Sequence, residues 1–177
     1  MEMIKTKAAV IGAGPAGLCA AISSSRTLGR GSTVVLEKQT KAGRKLLATG
    51  NGRCNISNED ISVEHYHGDK AIAEAVLEEF PCGAMYGFMR ESGVLLRSDG
   101  EGRIYPYSNQ AATVLDALTG ECIRQGADIR TGFEISSVKK DGGGFVVSSQ
   151  DTELRCEYLI FASGSAAAPH LGADSSG

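Results

Sequence analysis

Three short apolar runs along the chain are typical of buried β-strands. They cover residues 7–11 (KAAVI), 32–36 (STVVL) and 158–162 (YLIFA). Between the first two runs, apolar side chains recur at helical spacing over residues 15–28. Strand, glycine-rich turn, helix and strand together fill about 30 residues, the size of one βαβ unit. The pattern therefore predicts parallel strands and an α/β fold.

The rest of the chain alternates helical and strand patterns. Helices are predicted over residues 70–80, 82–91 and 109–125, the last with Ser108 as candidate N-cap. Short strands are predicted at residues 94–97, 103–105, 128–131, 133–139, 144–149 and 153–157. The glycine-rich turn at residues 141–144 is typical of a hairpin. The strands between residues 133 and 157 are therefore expected to form a β-meander. Residues 39–58 are polar and turn-rich, and a long irregular loop of this kind is usually functional or disordered. Its many glycine, asparagine and arginine residues favour a functional loop.

Composition narrows the classes of function. The length of 177 residues suggests one domain, and the net charge of −3 disfavours nucleic acid or an anionic membrane as partner. The five cysteines are scattered without a C-x-x-C pair, which fits reduced thiols in the cytoplasm and gives no reason to expect a metal site. No targeting segment or membrane span is recognisable. We expect a cytoplasmic protein that acts on a small molecule.

The turn after the first strand has the sequence of a dinucleotide-binding motif. Its candidate cofactor-binding residues are Gly12, Ala13, Gly14, Pro15, Ala16 and Gly17. The first glycine permits a tight turn, the second lets the backbone approach a pyrophosphate, and the third lets the helix pack against the strand. The helix would point its positive end at the phosphates. Glu37 ends the second strand, where a carboxylate accepts hydrogen bonds from a ribose 2′-hydroxyl and repels a 2′-phosphate.

A second candidate segment spans residues 43–55. Arg44, Lys45 and Arg53 would balance pyrophosphate charge or polarise the pyrimidine edge of a flavin, and the glycines would lie against its flat ring. The alternative is an ordinary solvated basic loop. For Cys54, a packing or backbone role is favoured over a nucleophilic or redox role. His65 and His67 are expected to be exposed loop residues, and a catalytic role for His170 has no support.

Four segments resemble one family of bacterial flavoproteins. They are GRKLLATGNGRCNISN, GRIYPYSNQAATVLDAL, GADIRTGFEISSV and YLIFASGSAAAPHLGADSSG. The sequence resembles the family typified by the BaiN and YhiN proteins, described as NAD(P)/FAD-dependent or aminoacetone-oxidase-like flavoproteins. The resemblance covers nearly all of the chain. It implies a Rossmann-like FAD-binding domain of the two-dinucleotide-binding-domain type, with a three-stranded β-meander and an inserted substrate domain.

The resemblance also implies which residues would bind FAD. The glycine-rich turn would meet the pyrophosphate, Glu37 would hold the adenosine ribose, and Ile135 would contact adenine through its backbone. The remaining residues implied at the cofactor are Lys38, Arg44, Lys45, Thr49, Gly50, Asn51, Gly52, Arg53, Cys54, Asn55, Ala162, Ser163 and Gly164. The sequence departs from the family pattern at residues 163–165, where Ser-Gly-Ser replaces Thr-Gly-Gly.

Family members continue for roughly as many residues again. We therefore expect residues 1–177 to be a FAD-binding domain that is incomplete at its C-terminus, with the substrate domain absent or only begun. The leading hypothesis is a flavin-dependent oxidoreductase that transfers a hydride, with NAD(P)H as one candidate electron donor. The alternatives are a truncated, non-catalytic nucleotide-binding fragment and an NAD-binding Rossmann dehydrogenase, although the meander favours the FAD type. Substrate, catalytic residues and oligomeric state are left open.

Overall fold

The computed structural model describes residues 2–165, which fall into two compact units. Unit 1 comprises Met1–Leu46 and Leu118–Gly177, and unit 2 comprises Leu47–Ala117. Unit 2 is therefore inserted in the chain between the two segments of unit 1. The assignment of the chain to one incomplete domain, with a substrate domain only begun, stays a prediction.

Strands and helices alternate along the chain. The strands are β1 (Glu2–Lys5), β2 (Ala8–Ile11), β3 (Thr33–Glu37), β4 (Ser57–Asn58), β5 (Leu96–Ser98), β6 (Arg103–Pro106), β7 (Asp128–Thr131), β8 (Ser137–Asp141), β9 (Gly144–Ser148), β10 (Thr152–Cys156) and β11 (Tyr158–Phe161). The helices are α1 (Pro15–Leu28), α2 (Arg44–Ala48), α3 (Lys70–Glu79), α4 (Cys82–Glu91) and α5 (Ala111–Arg124). Two 3₁₀ turns cover Thr49–Gly52 and Val63–His65.

Unit 1 is built on a four-stranded parallel sheet. Its strand order is β11-β2-β3-β7, so the predicted parallel strands near the two ends of the chain are neighbours. Ala8, Ala9 and Val10 of the central strand β2 have no solvent exposure, which explains their continuous apolar sequence. Helix α1 packs on β2 and β3 and buries Leu18 and Ile22. The α/β prediction is confirmed.

The predicted meander forms a second sheet in unit 1. Strands β8, β9 and β10 are antiparallel neighbours, and the hairpin between β8 and β9 lies where the glycine-rich turn predicts it. Val147 and Leu154 of this sheet pack in one cluster with Val34 and Leu36 of the parallel sheet. Strand β1, which the sequence pattern did not predict, pairs in parallel with β10 and extends the meander to four strands.

Unit 2 combines helices with a small antiparallel sheet. The strand order is β4-β6-β5, and β6 contributes the buried residues Ile104 and Tyr105. Helix α3 begins where predicted, because the Asp69 side chain accepts hydrogen bonds from the N–H groups of residues 71 and 72. The apolar face of α3 is exposed: Ile72 and Val76 retain 64% and 58% of their accessible surface.

Four local predictions were wrong. The run at residues 158–162 forms a parallel strand, but this strand is not buried, since Tyr158 and Phe161 of β11 retain 54% and 63% of their accessible surface at the edge of the described sheet. Residues 39–58 are not one irregular loop, since they contain α2, a 3₁₀ turn and β4. The strand predicted over 133–139 begins only at Ser137, because the N–H of Phe133 instead donates to the carbonyl oxygen of Glu37. Ser108 is not the N-cap of α5: it lies three residues before the helix, and its hydroxyl accepts a hydrogen bond from the N–H of Gln110.

Candidate dinucleotide site

Two glycines of the turn after β2 are required by the packing of unit 1 itself. Gly12 has a φ of +102°, and a Cβ atom there would lie 2.5 Å from the carbonyl oxygen of Ala162. A Cβ atom at Gly17 would overlap the carbonyl oxygen of Gly12. A side chain at either position would therefore separate β2 from β11 or from α1. These contacts confirm the roles that the motif predicts for its first and third glycines.

The second glycine of the turn has a different explanation. Gly14 is the N-cap of α1 with extended backbone (φ −75°, ψ −179°), a conformation open to any residue. Apart from its two neighbours in the chain, no described residue has an atom within 4 Å of a Cβ placed there. The open surface and the helix N-terminus, which carries Pro15 at its start and has no side-chain cap among these residues, fit a pyrophosphate approaching the backbone.

The turn lies at the switch point of the parallel sheet. From β2 the chain crosses through α1 to β3 on one side, while β11 pairs with β2 on the other side. In open α/β sheets, ligands bind outside the carboxyl ends of the strands at such a point. Ala162 donates its N–H to the carbonyl oxygen of Ile11 over 2.8 Å, which brings the last described residues beside the turn.

Lys45 reaches the end of β11 within unit 1. Its ammonium Nζ donates to the carbonyl oxygen of Ser165 over 2.7 Å and lies 3.3 Å from the Cβ position of Gly164. Ser163 and Ser165, where the family pattern has threonine and glycine, are not in the left-handed region, so their side chains cause no backbone strain. Gly164 has a φ of +85°, which favours glycine at that position.

Glu37 joins the end of β3 to the glycine-rich turn. Its Oε2 accepts the N–H of Ala13 and its Oε1 accepts the N–H of Gln39, each over 2.8 Å. Each carboxylate oxygen offers a second acceptor site, so ribose hydroxyls still find partners there. The carbonyl oxygen of Ala13 in turn accepts the N–H of Gly43 over 3.0 Å. The structure therefore places the predicted ribose ligand directly beside the predicted phosphate-binding turn.

The other charged candidates of unit 1 have partners away from the turn. Lys38 forms an exposed ion pair with Glu134 at 3.3 Å, and Arg44 donates to the side-chain oxygen of Gln39 over 2.8 Å. Ile135 is partly buried against the cluster between the two sheets. Contacts of these residues with a cofactor stay predictions.

The predicted segment 49–55 lies in unit 2 and has a constrained backbone. Gly50 and Asn51 have φ values of 55°, and Cys54 has a φ of 62°. A Cβ atom at Gly50 would lie 2.8 Å from the backbone nitrogen of Asn55. Left-handed conformations in residues other than glycine are costly and cluster at functional sites. This geometry favours the functional interpretation of the segment over that of an ordinary solvated loop.

Cys54 itself is buried within unit 2, with 6% of its surface exposed. Burial raises the pKa of its thiol, and a hydrogen bond with the Thr49 side chain opposes that shift. The thiol is therefore protonated at neutral pH, and protonated thiols are poor nucleophiles. This supports the packing role that the sequence favoured.

The histidines do not form a site among the residues that the structure describes. His65 makes an exposed pair with Asp60 at 3.2 Å, and His67 is exposed. His170 lies outside the described residues. Residues 2–165 contain no group of three or more histidine, cysteine and acidic side chains that could hold a metal ion. No helix in this part of the chain is long and apolar enough to cross a membrane.

Sequence reasoning missed one residue beside the candidate segment. Tyr105 is 4% exposed, and the guanidinium of Arg53 lies over its ring with Cζ 4.6 Å from the centroid. The string GRIYPYSNQ contains this tyrosine, but nothing in the string indicates that its partner lies 52 residues earlier.

Comparison with known proteins identifies relatives of this chain. A family model described as "HI0933-like protein Rossmann domain" matches residues 6–177. The chain is 40% identical over 169 residues to a 3-dehydro-bile acid delta(4,6)-reductase of Clostridium scindens, covering 95% of this chain and 41% of that protein. It is 30% identical over 169 residues to a ribosomal RNA dihydrouridine synthase of Haemophilus influenzae, covering 93% and 41%. The chain thus spans about two fifths of the length of these curated relatives.

The fold recurs in solved structures of other proteins. The 3-ketosteroid-delta4-(5alpha)-dehydrogenase of Rhodococcus jostii matches with a TM-score of 0.68 at 15% identity, over 92% of this chain and 46% of that one. Sequence and fold agree with the resemblance found in the motifs. The chain belongs to the HI0933-like (BaiN/YhiN) family of FAD-dependent oxidoreductases and has that family's Rossmann-like FAD-binding fold.

Proposed function

We propose that this chain binds FAD and contributes it to a hydride-transfer reaction on a small molecule. The observation that carries the proposal is Gly14, which lies in open space at the switch point of the parallel sheet. The packing of the described residues gives no reason for glycine there, whereas close approach of a pyrophosphate does. Glu37, hydrogen-bonded to the same turn, supplies the acceptor for a ribose.

Each part of the chain has a distinct role in this proposal. Residues 12–17 and the N-terminus of α1 bind the pyrophosphate, Glu37 binds the adenosine ribose, and the backbone of Ile135 contacts adenine. Lys38, Arg44 and Lys45 balance the phosphate charge. Flavin, when bound, accepts or donates the hydride. The residues proposed to approach the flavin or line the cofactor are Thr49, Gly50, Asn51, Gly52, Arg53, Cys54, Asn55, Ala162, Ser163 and Gly164.

The names of the two relatives suggest a substrate class. One is a delta(4,6)-reductase and the other forms dihydrouridine, so both names describe the saturation of a carbon–carbon double bond. We propose the same reaction class here, with a small conjugated carbonyl compound as substrate and NAD(P)H as electron donor. The net charge of −3 favours a small molecule over RNA.

A titration with FAD and with ADP tests the nucleotide site. We expect the purified chain to bind both, with perturbation of the visible flavin spectrum, and Gly14→Ala to weaken both by at least about tenfold, since its methyl group blocks phosphate approach. Gly120→Ala is the matched control, because its Cβ also meets open space but lies in the interior of α5. If the wild-type protein binds neither nucleotide, the proposal is contradicted.

A second candidate function is nucleotide binding without catalysis by this chain alone. It is motivated by the glycine-rich turn and Glu37, which would bind a dinucleotide whether or not this chain transfers a hydride. Anaerobic mixing of the FAD-loaded chain with NADH or NADPH distinguishes the two candidate functions. Bleaching of the flavin at a rate well above that of free FAD supports the oxidoreductase proposal, while an unchanged rate favours the binding function.

A further inference from the structure

A closed ring of contacts joins the end of β3 to the start of α2. The Glu37 carboxylate accepts the N–H of Ala13 with one oxygen and the N–H of Gln39 with the other, each over 2.8 Å. The side-chain oxygen of Gln39 accepts Nη1 of Arg44 over 2.8 Å. Arg44 follows Gly43, whose N–H donates to the carbonyl oxygen of Ala13 over 3.0 Å, so the ring returns to the glycine-rich turn. Every member of the ring belongs to unit 1.

The backbone of Gln39 is held on both sides. Its N–H donates to Glu37, and its carbonyl oxygen accepts the N–H of Gly132, directly after β7, over 2.9 Å. Gln39 thus links the carboxyl ends of two neighbouring strands of the parallel sheet, the edge at which such sheets bind their ligands. Arg44 itself is exposed, and a long exposed side chain without an anchor samples many rotamers. The contact with Gln39 therefore keeps the guanidinium near the Glu37 end of the site.

Gln39 holds Arg44 without cancelling its charge. An amide is neutral, and no carboxylate within residues 2–165 forms an ion pair with Arg44. The nearby cation Lys38, by contrast, is paired with Glu134 at 3.3 Å. A guanidinium has five N–H donors, and the Gln39 oxygen occupies one of those on Arg44. The other donors can bind an anion, and the planar guanidinium matches the geometry of phosphate oxygens.

We infer that Gln39 is a positioning residue that presents the Arg44 guanidinium, with its charge intact, to the diphosphate adjoining the ribose of a bound adenosine nucleotide. This inference deepens the proposed nucleotide binding and rests on it. The ring joins an acceptor for ribose hydroxyls, Glu37, to a donor for phosphate oxygens, Arg44. A glutamate in place of Gln39 would pair with Arg44 and cancel its charge, whereas the glutamine leaves that charge for the ligand. Gln39 thereby favours phosphorylated nucleotides over the bare nucleoside.

The test compares ADP with adenosine, by NMR titration, in wild-type protein and in Gln39→Ala, Gln39→Glu and Arg44→Ala. Both substitutions of Gln39 retain its main-chain hydrogen bonds, so only the contact with Arg44 changes. We expect Arg44→Ala to weaken ADP binding about tenfold, the scale of a hydrogen bond to a charged group, and Gln39→Ala about threefold. Gln39→Glu should weaken ADP binding at least as much as Arg44→Ala. Adenosine has no phosphate and should bind all four proteins equally, which also shows that the variants fold.

The double variant Gln39→Ala/Arg44→Ala distinguishes positioning from direct contact with the ligand. If Gln39 acts through Arg44, its removal costs nothing further once Arg44 is absent, so the double variant should bind ADP like Arg44→Ala. Gln150 supplies the matched control, because it is an exposed glutamine of unit 1 in the turn between β9 and β10, outside the ring. Gln150→Glu adds the same charge there and should leave the ADP affinity unchanged.

Three results would overturn the inference while the proposed function stands, since wild-type protein binds ADP in each of them. The first is an ADP affinity that neither substitution of Gln39 changes. The second is a loss of adenosine affinity in Gln39→Ala as large as its loss of ADP affinity. The third is a double variant that binds ADP more weakly than Arg44→Ala. Wild-type protein that binds neither FAD nor ADP contradicts the proposed function as well.

Discussion

Gly17 packs directly against the carbonyl oxygen of Gly12, with no room between them for a Cβ atom. The contact joins the first turn of α1 to the end of β2 and so sets how closely helix and sheet approach. The close packing at the third glycine of the motif is therefore a property of the protein itself and does not depend on a bound cofactor.

This contact predicts that Gly17→Ala destabilises the chain. The added methyl group must displace backbone atoms, and overpacking of this kind costs about 3 kcal/mol. Thermal or urea unfolding should show the loss in the absence of any nucleotide. Gly120→Ala should be neutral or stabilising, because it lies in open space within a helix. A Gly17→Ala protein as stable as wild type would contradict the packing role.

Glu37→Gln should alter discrimination between adenosine nucleotides. A charged acceptor binds a hydroxyl more strongly than a neutral amide by about 1 kcal/mol, so ADP should bind about fivefold more weakly. An ADP analogue with a 2′-phosphate should lose less affinity or gain some, because the carboxylate no longer repels it. Calorimetric titration with both nucleotides measures the ratio. Glu134→Gln, an exposed carboxylate paired with Lys38, is the control and should leave the ratio unchanged.

The buried Cys19 thiol predicts that the folded chain loses stability at alkaline pH. Burial raises the pKa of Cys19 from the ordinary 9.0 to about 11. Below pH 9 the thiol is protonated in both folded and unfolded chains; above it, only the unfolded chain ionises, so stability is lost as the pH rises towards 11. At pH 10 this amounts to about 1 kcal/mol. Urea unfolding at pH 8 and pH 10 should show a smaller pH-dependent loss in Cys19→Ala than in wild type. Equal losses in the two proteins would contradict the prediction.

The shared hydrogen bonds of Glu121 predict that two variants lose different amounts of stability. Its side chain is fully buried and bonds with Arg26 at 3.0 Å and with Arg124, while Gln125 donates to the same carboxylate over 2.9 Å. Glu121→Ala removes the shared acceptor and should cost about 3 kcal/mol. Arg26→Ala leaves the carboxylate with two partners and should cost about 1 kcal/mol. The two stability losses are compared from the unfolding midpoints of the variants. A loss in Arg26→Ala that equals or exceeds the loss in Glu121→Ala would refute the role of Glu121 as a shared acceptor.

Much of the fold could be predicted from local patterns in the sequence. The continuous apolar residues of β2 predicted a buried parallel strand, since strands covered on both faces lack polar alternation. The similar run in β11 predicted its parallel pairing correctly but not its exposure, because nothing in the run shows that β11 lies at the edge of the described sheet. The helix at residues 70–80 followed from apolar residues at helical spacing and from Pro81 after its end, and the hairpin before β9 followed from glycines that allow a tight turn. The region 39–58 was misread, because its many turn-forming residues hide the short helix α2.

The sequence by itself determined the dinucleotide turn and its acidic partner. A glycine where no Cβ fits, and an acid at the end of the next strand, are chemical requirements that single residues express. Only the tertiary structure decided that β1 pairs with β10, that Lys45 reaches Ser165, and that Arg53 stacks on Tyr105. These partners are separated by 52 to 150 positions or so along the chain. Such contacts leave no periodic pattern in the sequence, because they depend on which elements pack side by side once the chain has folded.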